Sequence, residues 1–289
     1  MSKSVHEGVQ DMETKYEMTI RPPHEGWASG LNLKEVWRYR ELAIVFAIRD
    51  LKVRYRQTMV GVAWAFIQPV TTIVLFNFVF GNLAKIPSEG VPYALFSFIG
   101  VNLWGYFSNS LTNASNAVIG NEGIIKKIYF PRLILPLSSA ITPLADMAIA
   151  YLIFIGMMIF LNFMPNIWGF FILPVLVIAT FLASTGIGLI FASLNLKYRD
   201  VRYAMPFMIQ VMMYATPVIY PSSLLSEKFE WVLKLNPMTG IIETGRAAIL
   251  NTKPIDWDGL LIAIVISTAL FLIGVWRFRK TEQFFADVI

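Results

Sequence analysis

The chain has 289 residues, of which 56% are hydrophobic and only 15% charged, with a formal net charge of +5 and a mean hydropathy of +0.59. Soluble domains carry about a quarter charged residues, so these values exclude a disordered tail and an ordinary soluble domain. The charges are also unevenly spaced: none occurs between Arg56 and Lys85, Glu89 and Glu122, Asp146 and Lys197, Arg202 and Glu227, or Asp258 and Arg277. Each gap can supply the roughly 20 apolar residues that cross a bilayer core. The expected class is an all-α polytopic membrane protein.

In chain order, residues 1–31 form a polar cytoplasmic leader with Arg21-Pro22-Pro23 inside it. No signal-peptide core is visible in the first 32 residues, so the N-terminus is expected to stay in the cytoplasm. A helical pattern then runs over 32–58. At about 100° per residue, Trp37, Ile44, Ile48, Leu51 and Tyr55 share one sector, while Arg38, Arg49, Lys52 and Arg56 share another. An apolar stripe beside a basic one, too charged to span, predicts a helix lying in the membrane interface against anionic head groups. Packing of a soluble amphipathic helix on another domain is the alternative.

Residues 59–289 hold six expected spans, near 60–80, 93–111, 137–161, 167–194, 203–220 and 260–276. The long apolar stretch after Arg132 must fold back once, and Asn162-Phe163-Met164-Pro165-Asn166 is its turn-like cluster. With the N-terminus inside, 19 of the 24 Lys and Arg residues fall on the cytoplasmic side and 5 outside, which places both termini in the cytoplasm. The outer connection from Pro221 to Asp258 reads as two short helices broken at Asn236-Pro237, with Ser222 and Ser223 able to cap the first. Each is too short to span, and both are expected to lie at or dip into the outer leaflet.

Chemistry is scarce. Cysteine is absent and both histidines, His6 and His24, lie in the leader, which leaves no disulfide, thiolate or imidazole metal site in the membrane part. The closest approach to a phosphate loop, Gly120-Asn-Glu-Gly123-Ile-Ile-Lys126-Lys127, has the wrong spacing and lacks the hydroxyl that would hold magnesium. ATP and magnesium, if used, must therefore bind a partner. Only Asp146 is ionisable within a span, and it is expected to pair, to hydrogen-bond a neighbouring helix or to face a hydrated path. Clustered carboxylates for acid/base catalysis are missing at the span ends. Asp200 between Arg199 and Val201 suggests an ion-pair turn.

Five segments occur in order: Leu51-Lys-Val-Arg-Tyr-Arg-Gln-Thr-Met-Val-Gly-Val-Ala-Trp-Ala-Phe-Ile-Gln-Pro69, Tyr129-Phe-Pro-Arg132, Leu196-Lys-Tyr-Arg-Asp-Val201, Ala215-Thr-Pro-Val-Ile-Tyr-Pro221 and Leu235-Asn-Pro-Met238. Together they resemble the transmembrane subunit of ABC exporters for bacterial surface polysaccharides, the group handling O-antigen, capsule and teichoic acid. The resemblance runs from about Asn32 to the C-terminus. It implies a permease of the inner membrane that works as a homodimer with two copies of a separate ATPase subunit, moves a lipid-linked polysaccharide, touches membrane lipids and has no nucleic-acid partner. It also implies a role in lipopolysaccharide biosynthesis.

By the same resemblance, 116–127, with Asn116, Asn121, Glu122, Lys126 and Lys127, is similar to the first ATPase-coupling helix, and Arg199 and Asp200 belong to a second cytoplasmic contact. The short outer helices resemble gate helices, which makes Trp231, Asn236, Pro237, Glu243 and Arg246 candidate gate residues. A glycan that must slide favours aromatic faces over ionic clamps; Phe98, Trp104, Tyr106, Phe107, Met212 and Tyr214 are therefore the expected substrate path. Export of a drug or small lipid by the same fold, and a membrane-embedded glycan-modifying transferase, are the alternatives.

Overall fold

The computed structural model describes residues 33–56, 63–128, 130–198, 200–224 and 230–282. The leader at 1–31, the Arg56 side chain and Arg199 lie outside the described residues.

The described residues are helical, without strands. The segment expected as one interface helix is two, α1 (Leu33–Arg38) and α2 (Arg40–Arg56), joined at a turn where the Tyr39 amide donates to the Val36 carbonyl. Trp37, Ile44 and Ile48 of the expected apolar sector are exposed. A different face carries Phe46, which is buried against Phe130 with ring centroids 5.6 Å apart. The helix is thus fixed to the protein as well as exposed along its length.

The first long helix begins with α3 (Trp64–Phe76), which contains Pro69, and continues through a π-helical turn at Asn77–Leu83. Next come α4 (Tyr93–Asn116) and a single-turn α5 (Glu122–Ile125). The third expected span is bent, with α6 (Ile134–Ile141) followed by α7 (Leu144–Phe160); Pro143 stands at the break, where its missing N–H removes a ladder bond. The expected reversal is present at Asn162, whose φ is 49°. A 3₁₀ segment (Ile167–Ile172) then leads into α8 (Leu173–Lys197).

Helix α9 (Asp200–Ala215) ends five residues before the expected limit of the fifth span, because Thr216-Pro-Val-Ile-Tyr220 is irregular. The outer connection contains α10 (Glu230–Leu235) and α11 (Pro237–Leu250), broken at Asn236 as expected. Ser222 and Ser223 lie in a 3₁₀ turn (Ser222–Leu224). Last is α12 (Trp257–Glu282).

Among the described residues, four stretches are long and apolar enough to cross a membrane: Trp64–Leu83, Ile134–Phe160, Ile167–Lys197 and Trp257–Glu282. Helix α4 is the hub of the bundle, packing on α3, α6, α7, α8 and α11. Its Leu95, Phe96, Ile99, Leu103 and Leu111 are fully enclosed. Helix α8 crosses α12 where Gly186 meets Gly274, and a Cβ on either would collide with the facing backbone. Small residues at a crossing let backbones approach closely, which is how helices associate in lipid, where apolar surface alone gives little preference.

Candidate functional site

Polar side chains in an apolar bundle must find partners, and here they gather in two layers. The inner layer, on the side expected to be cytoplasmic, is organised by α2. Arg49 donates to Asp50 Oδ1 at 2.7 Å and to Asn121 Oδ1 at 2.8 Å, and its guanidinium lies 5.0 Å from the Phe46 ring centroid. Arg49 is therefore engaged within the protein, whereas Arg38 and Lys52 of the expected basic stripe are exposed. Five residues along, Arg54 forms an ion pair with Asp146 at 2.8 Å, and the Tyr55 hydroxyl donates to the other oxygen of the same carboxylate. The lone carboxylate of the expected spans thus pairs with a cation of α2 rather than with a Ser, Thr or Asn. Arg54 was missed because it sits off the basic sector; the need of Asp146 for a counter-charge was the available signal.

The outer layer, on the opposite side, expected to face away from the cytoplasm, centres on Arg246, whose side chain is wholly buried. Its Nε donates to the Phe96 carbonyl (3.2 Å), Nη1 to Pro217 (2.8 Å) and Tyr220 (3.3 Å) carbonyls and to Glu243 Oε1 (3.1 Å), and Nη2 to the Val218 carbonyl (2.6 Å). The guanidinium also stacks 3.7 Å from the Phe96 ring centroid. The irregular 216–220 segment, which offers carbonyls instead of a helical ladder, is thereby satisfied by one planar fork. Gly100 makes room for this arrangement, since a Cβ there would strike the Val218 carbonyl. Glu243 is shared with Lys253, which lies 3.7 Å from Glu89. Burial pushes the Glu243 carboxyl upward, but the Arg246 guanidinium and the Lys253 ammonium outweigh it, so its pKa lies below the ordinary carboxylate value.

The other expected gate residues divide. Asn236 caps α11, accepting from the Met238 amide at 3.1 Å and donating to Thr216 Oγ1 at 2.8 Å, and Pro237 takes the first helical position, where no N–H is needed. Trp231 on α10 is 65% exposed. Helix α11 is buried along nearly its whole length, so it dips into the bundle rather than lying on it.

The coupling residues also separate by orientation. Asn116 and Asn121 turn inward, with Asn121 Nδ2 donating to the Ala117 carbonyl at 2.7 Å. Glu122, Lys126 and Lys127 are exposed on the short α5 segment, and Asp200 is exposed where it opens α9. Of the expected substrate path, Phe98, Trp104, Tyr106 and Phe107 are buried within the bundle. Phe98 stacks on Phe154 at 4.6 Å, Trp104 and Phe107 meet at 5.0 Å, and Met212 is half-buried. Tyr214 is 58% exposed.

Two cavities adjoin the inner layer. One of about 170 Å³ lies among α3, α4 and α7, with Phe98 and Tyr106 in its wall beside Gln68, Asn102, Asn109, Arg54 and Asp146. The second, about 410 Å³, shares Arg54 and Asn109 and adds Asp50, Asn113, Asn116 and Ser139. The asparagines were a missed signal. Positions 102, 109, 113 and 116 fall within about 60° of one another on a helix of 100° per residue. Among the described residues no group of three His, Cys, Asp or Glu is placed to hold a metal.

Residues 41–250 match the family described as ABC-2 type transporter. The chain is 30% identical over 255 residues to an O-antigen export system permease protein RfbA of Klebsiella pneumoniae, covering 86% of this chain and 95% of that protein. It is 25% identical to the protein of the same name from Myxococcus xanthus, covering 89% and 98%. It is 19% identical to the polysialic acid transport protein KpsM of Escherichia coli, covering 82% and 92%. Its apolar helices make it a multi-pass membrane protein. The chain belongs to the ABC-2 type transporter family, as a transport subunit rather than the transferase that the sequence had left as an alternative.

Proposed function

We propose that the chain is the permease subunit of an ATP-driven exporter that carries lipid-linked polysaccharide of the O-antigen class across the bacterial inner membrane. The observation that carries this reading is the match, over most of both chains, to relatives named for O-antigen export. The chain crosses six times, with both termini in the cytoplasm. Helix α4, with 24 residues, is about 36 Å long at 1.5 Å per residue and can cross despite its polar face. Helix α9 crosses with the help of the irregular 216–220 segment. Alternate connections also meet, which supports an up-and-down course. Lys253 pairs with Glu89, and the Asn166 amide donates to the Ile249 carbonyl at 3.0 Å, which groups the connections after α3, α7 and α9. At the opposite side, the Arg132 amide donates to Glu282 Oε1 at 3.0 Å.

Two copies pair as a homodimer and dock two ATP-binding subunits, which carry ATP and magnesium. The exposed Glu122, Lys126, Lys127 and Asp200 suit such docking. Tyr203, Phe207, Val211 and Tyr214 give α9 an exposed apolar stripe at helical spacing, suited to a second copy. Helices α10 and α11 form the outer gate. Deleting the chain should strip the polysaccharide from the cell surface while it accumulates inside, and the tagged chain should copurify with an ATP-binding-cassette subunit. Surface polysaccharide that persists without the chain refutes the reading; efflux of a drug or small lipid in its place would favour the alternative.

A further inference from the structure

We propose that the cavity among α3, α4 and α7 holds one uncharged sugar ring of the exported glycan within a single protomer. This rests on the polysaccharide reading and locates where that ligand is bound. At about 170 Å³ the space is below the ~300–1,000 Å³ of pockets for drug-sized ligands, so it takes one ring rather than a lipid or an oligomer.

The lining selects the chemistry. Gln68, Asn102 and Asn109 present amides and Thr72 a hydroxyl. Each amide both donates and accepts, which matches sugar hydroxyls that do the same. Phe98 and Tyr106 add aromatic surface for the C–H face of a ring. The charged groups in the wall, Arg54 and Asp146, already neutralise each other at 2.8 Å, with the Tyr55 hydroxyl donating to the same carboxylate. Among the described residues a phosphate would meet the Asp146 carboxylate together with the single guanidinium of Arg54, so an uncharged ligand is favoured.

One donor in the wall is left unpaired. Asn102 Nδ2 is shielded from solvent and has no hydrogen-bond partner among the described residues. An unpaired buried donor costs stability, so it marks a binding surface rather than scaffold. The route inward is polar as well: the larger cavity shares Arg54 and Asn109 with this one, and Asn113 and Asn116 continue the stripe of amides along α4.

The test uses the full exporter in cells making their own polysaccharide. A photoreactive residue is placed at Thr72 or at Gly105, where an added Cβ meets nothing within 4 Å; exposed Ile155 and Ile178 serve as controls. Positions 72 and 105 should capture glycan and the controls should not. Asn102→Leu should lower capture from position 105 about fivefold, the worth of one ordinary hydrogen bond, while leaving the melting temperature unchanged or raised. Glycan capture at 72 and 105 no greater than at the controls, or capture of phospholipid alone, overturns the inference provided that surface polysaccharide still depends on this chain. Loss of that dependence overturns the exporter reading as well. A lower melting temperature for Asn102→Leu would show that the amide supports the fold, and would also overturn the inference.

Discussion

Arg246 offers the sharpest test of how the outer end is held. Its five donor contacts go to four backbone carbonyls and one carboxylate. Lysine keeps the charge but concentrates three donors on one atom, so it cannot follow acceptors arranged around a planar fork. Arg246→Lys should therefore lose at least two of these bonds. At ~1.5 kcal/mol for each bond to a charged group, the cost is about 3 kcal/mol, roughly a 100-fold shift in the unfolding equilibrium. Arg246→Met should cost more. Replacing a buried ion pair with apolar residues is often neutral, but most of the partners here are peptide carbonyls that no side-chain substitution removes. Leaving several unpaired, at ~1–3 kcal/mol each, approaches the ~5–15 kcal/mol total stability of a typical protein. The assay is denaturant and thermal unfolding of the detergent-purified chain, with membrane abundance alongside. Arg246→Met matching the wild type, or exceeding Arg246→Lys in stability, would refute the argument that the carbonyl fork is what holds 216–220.

Four further outcomes follow from the same structure. Asp146→Asn should cost about 1–2 kcal/mol, below the ~3–5 kcal/mol of a fully buried pair because Arg54 is partly exposed; a double-mutant cycle with Arg54→Met that returns no coupling would contradict the pairing. The Glu243 pKa is depressed, so its stabilisation is complete above the unfolded value of ~4.3 and is lost as pH falls through the folded one. Wild-type melting should accordingly drop more steeply than that of Glu243→Gln below about pH 4, and parallel profiles would speak against it. Glu122→Lys should uncouple ATPase stimulation from export while the permease still assembles, and normal export would remove the docking assignment. Because the chain has no cysteine, single cysteines at 88 and 256 should react with an impermeant thiol reagent in intact spheroplasts, and those at 124 and 198 only after permeabilisation; labelling of 124 in sealed cells would overturn the six-crossing course.

The charge-free runs made the long helices legible, because a bilayer imposes length and polarity on any segment that crosses it. The breaks at Asn162 and Asn236 were legible for a similar local reason, since Asn tolerates the left-handed region and caps helices, while Pro fixes φ and lacks the amide that would continue one. Helix α4 was harder to place by hydropathy: its polar stripe lowers the average although most of its residues are enclosed by protein. Phe98, Trp104 and Phe107 show what reading aromatics by type leaves open: all three are buried, and Phe98 both stacks on Phe154 and lines the smaller cavity. Rings suited to a sugar face are equally suited to a core, and only the neighbouring α7 and α8 decide which role each one has. The Arg54–Asp146 pair spans 92 positions in sequence, and no helical periodicity connects two residues that far apart.

The placement of the polar groups also explains how so apolar a chain arrives at one arrangement. Lipid tails are as apolar as leucine, so burying an aliphatic side chain between helices has little advantage over leaving it in the bilayer. Close contact between small residues, as at Gly186 and Gly274, brings helices together without fixing which of several registers they adopt. Registers are fixed by groups that cannot be left unpaired in lipid. In one layer, Arg49 ties α2 to Asn121, while Arg54 and Tyr55 tie it to Asp146. In the other, Arg246 ties α11 to Phe96 of α4 and to the 216–220 segment, and Lys253 adds Glu89. A slip of one helical turn, about 5.4 Å, would break every bond in the affected layer at once. The few charges within the bundle therefore select the arrangement, while the much larger apolar surface makes the chain a membrane protein without choosing among its possible packings.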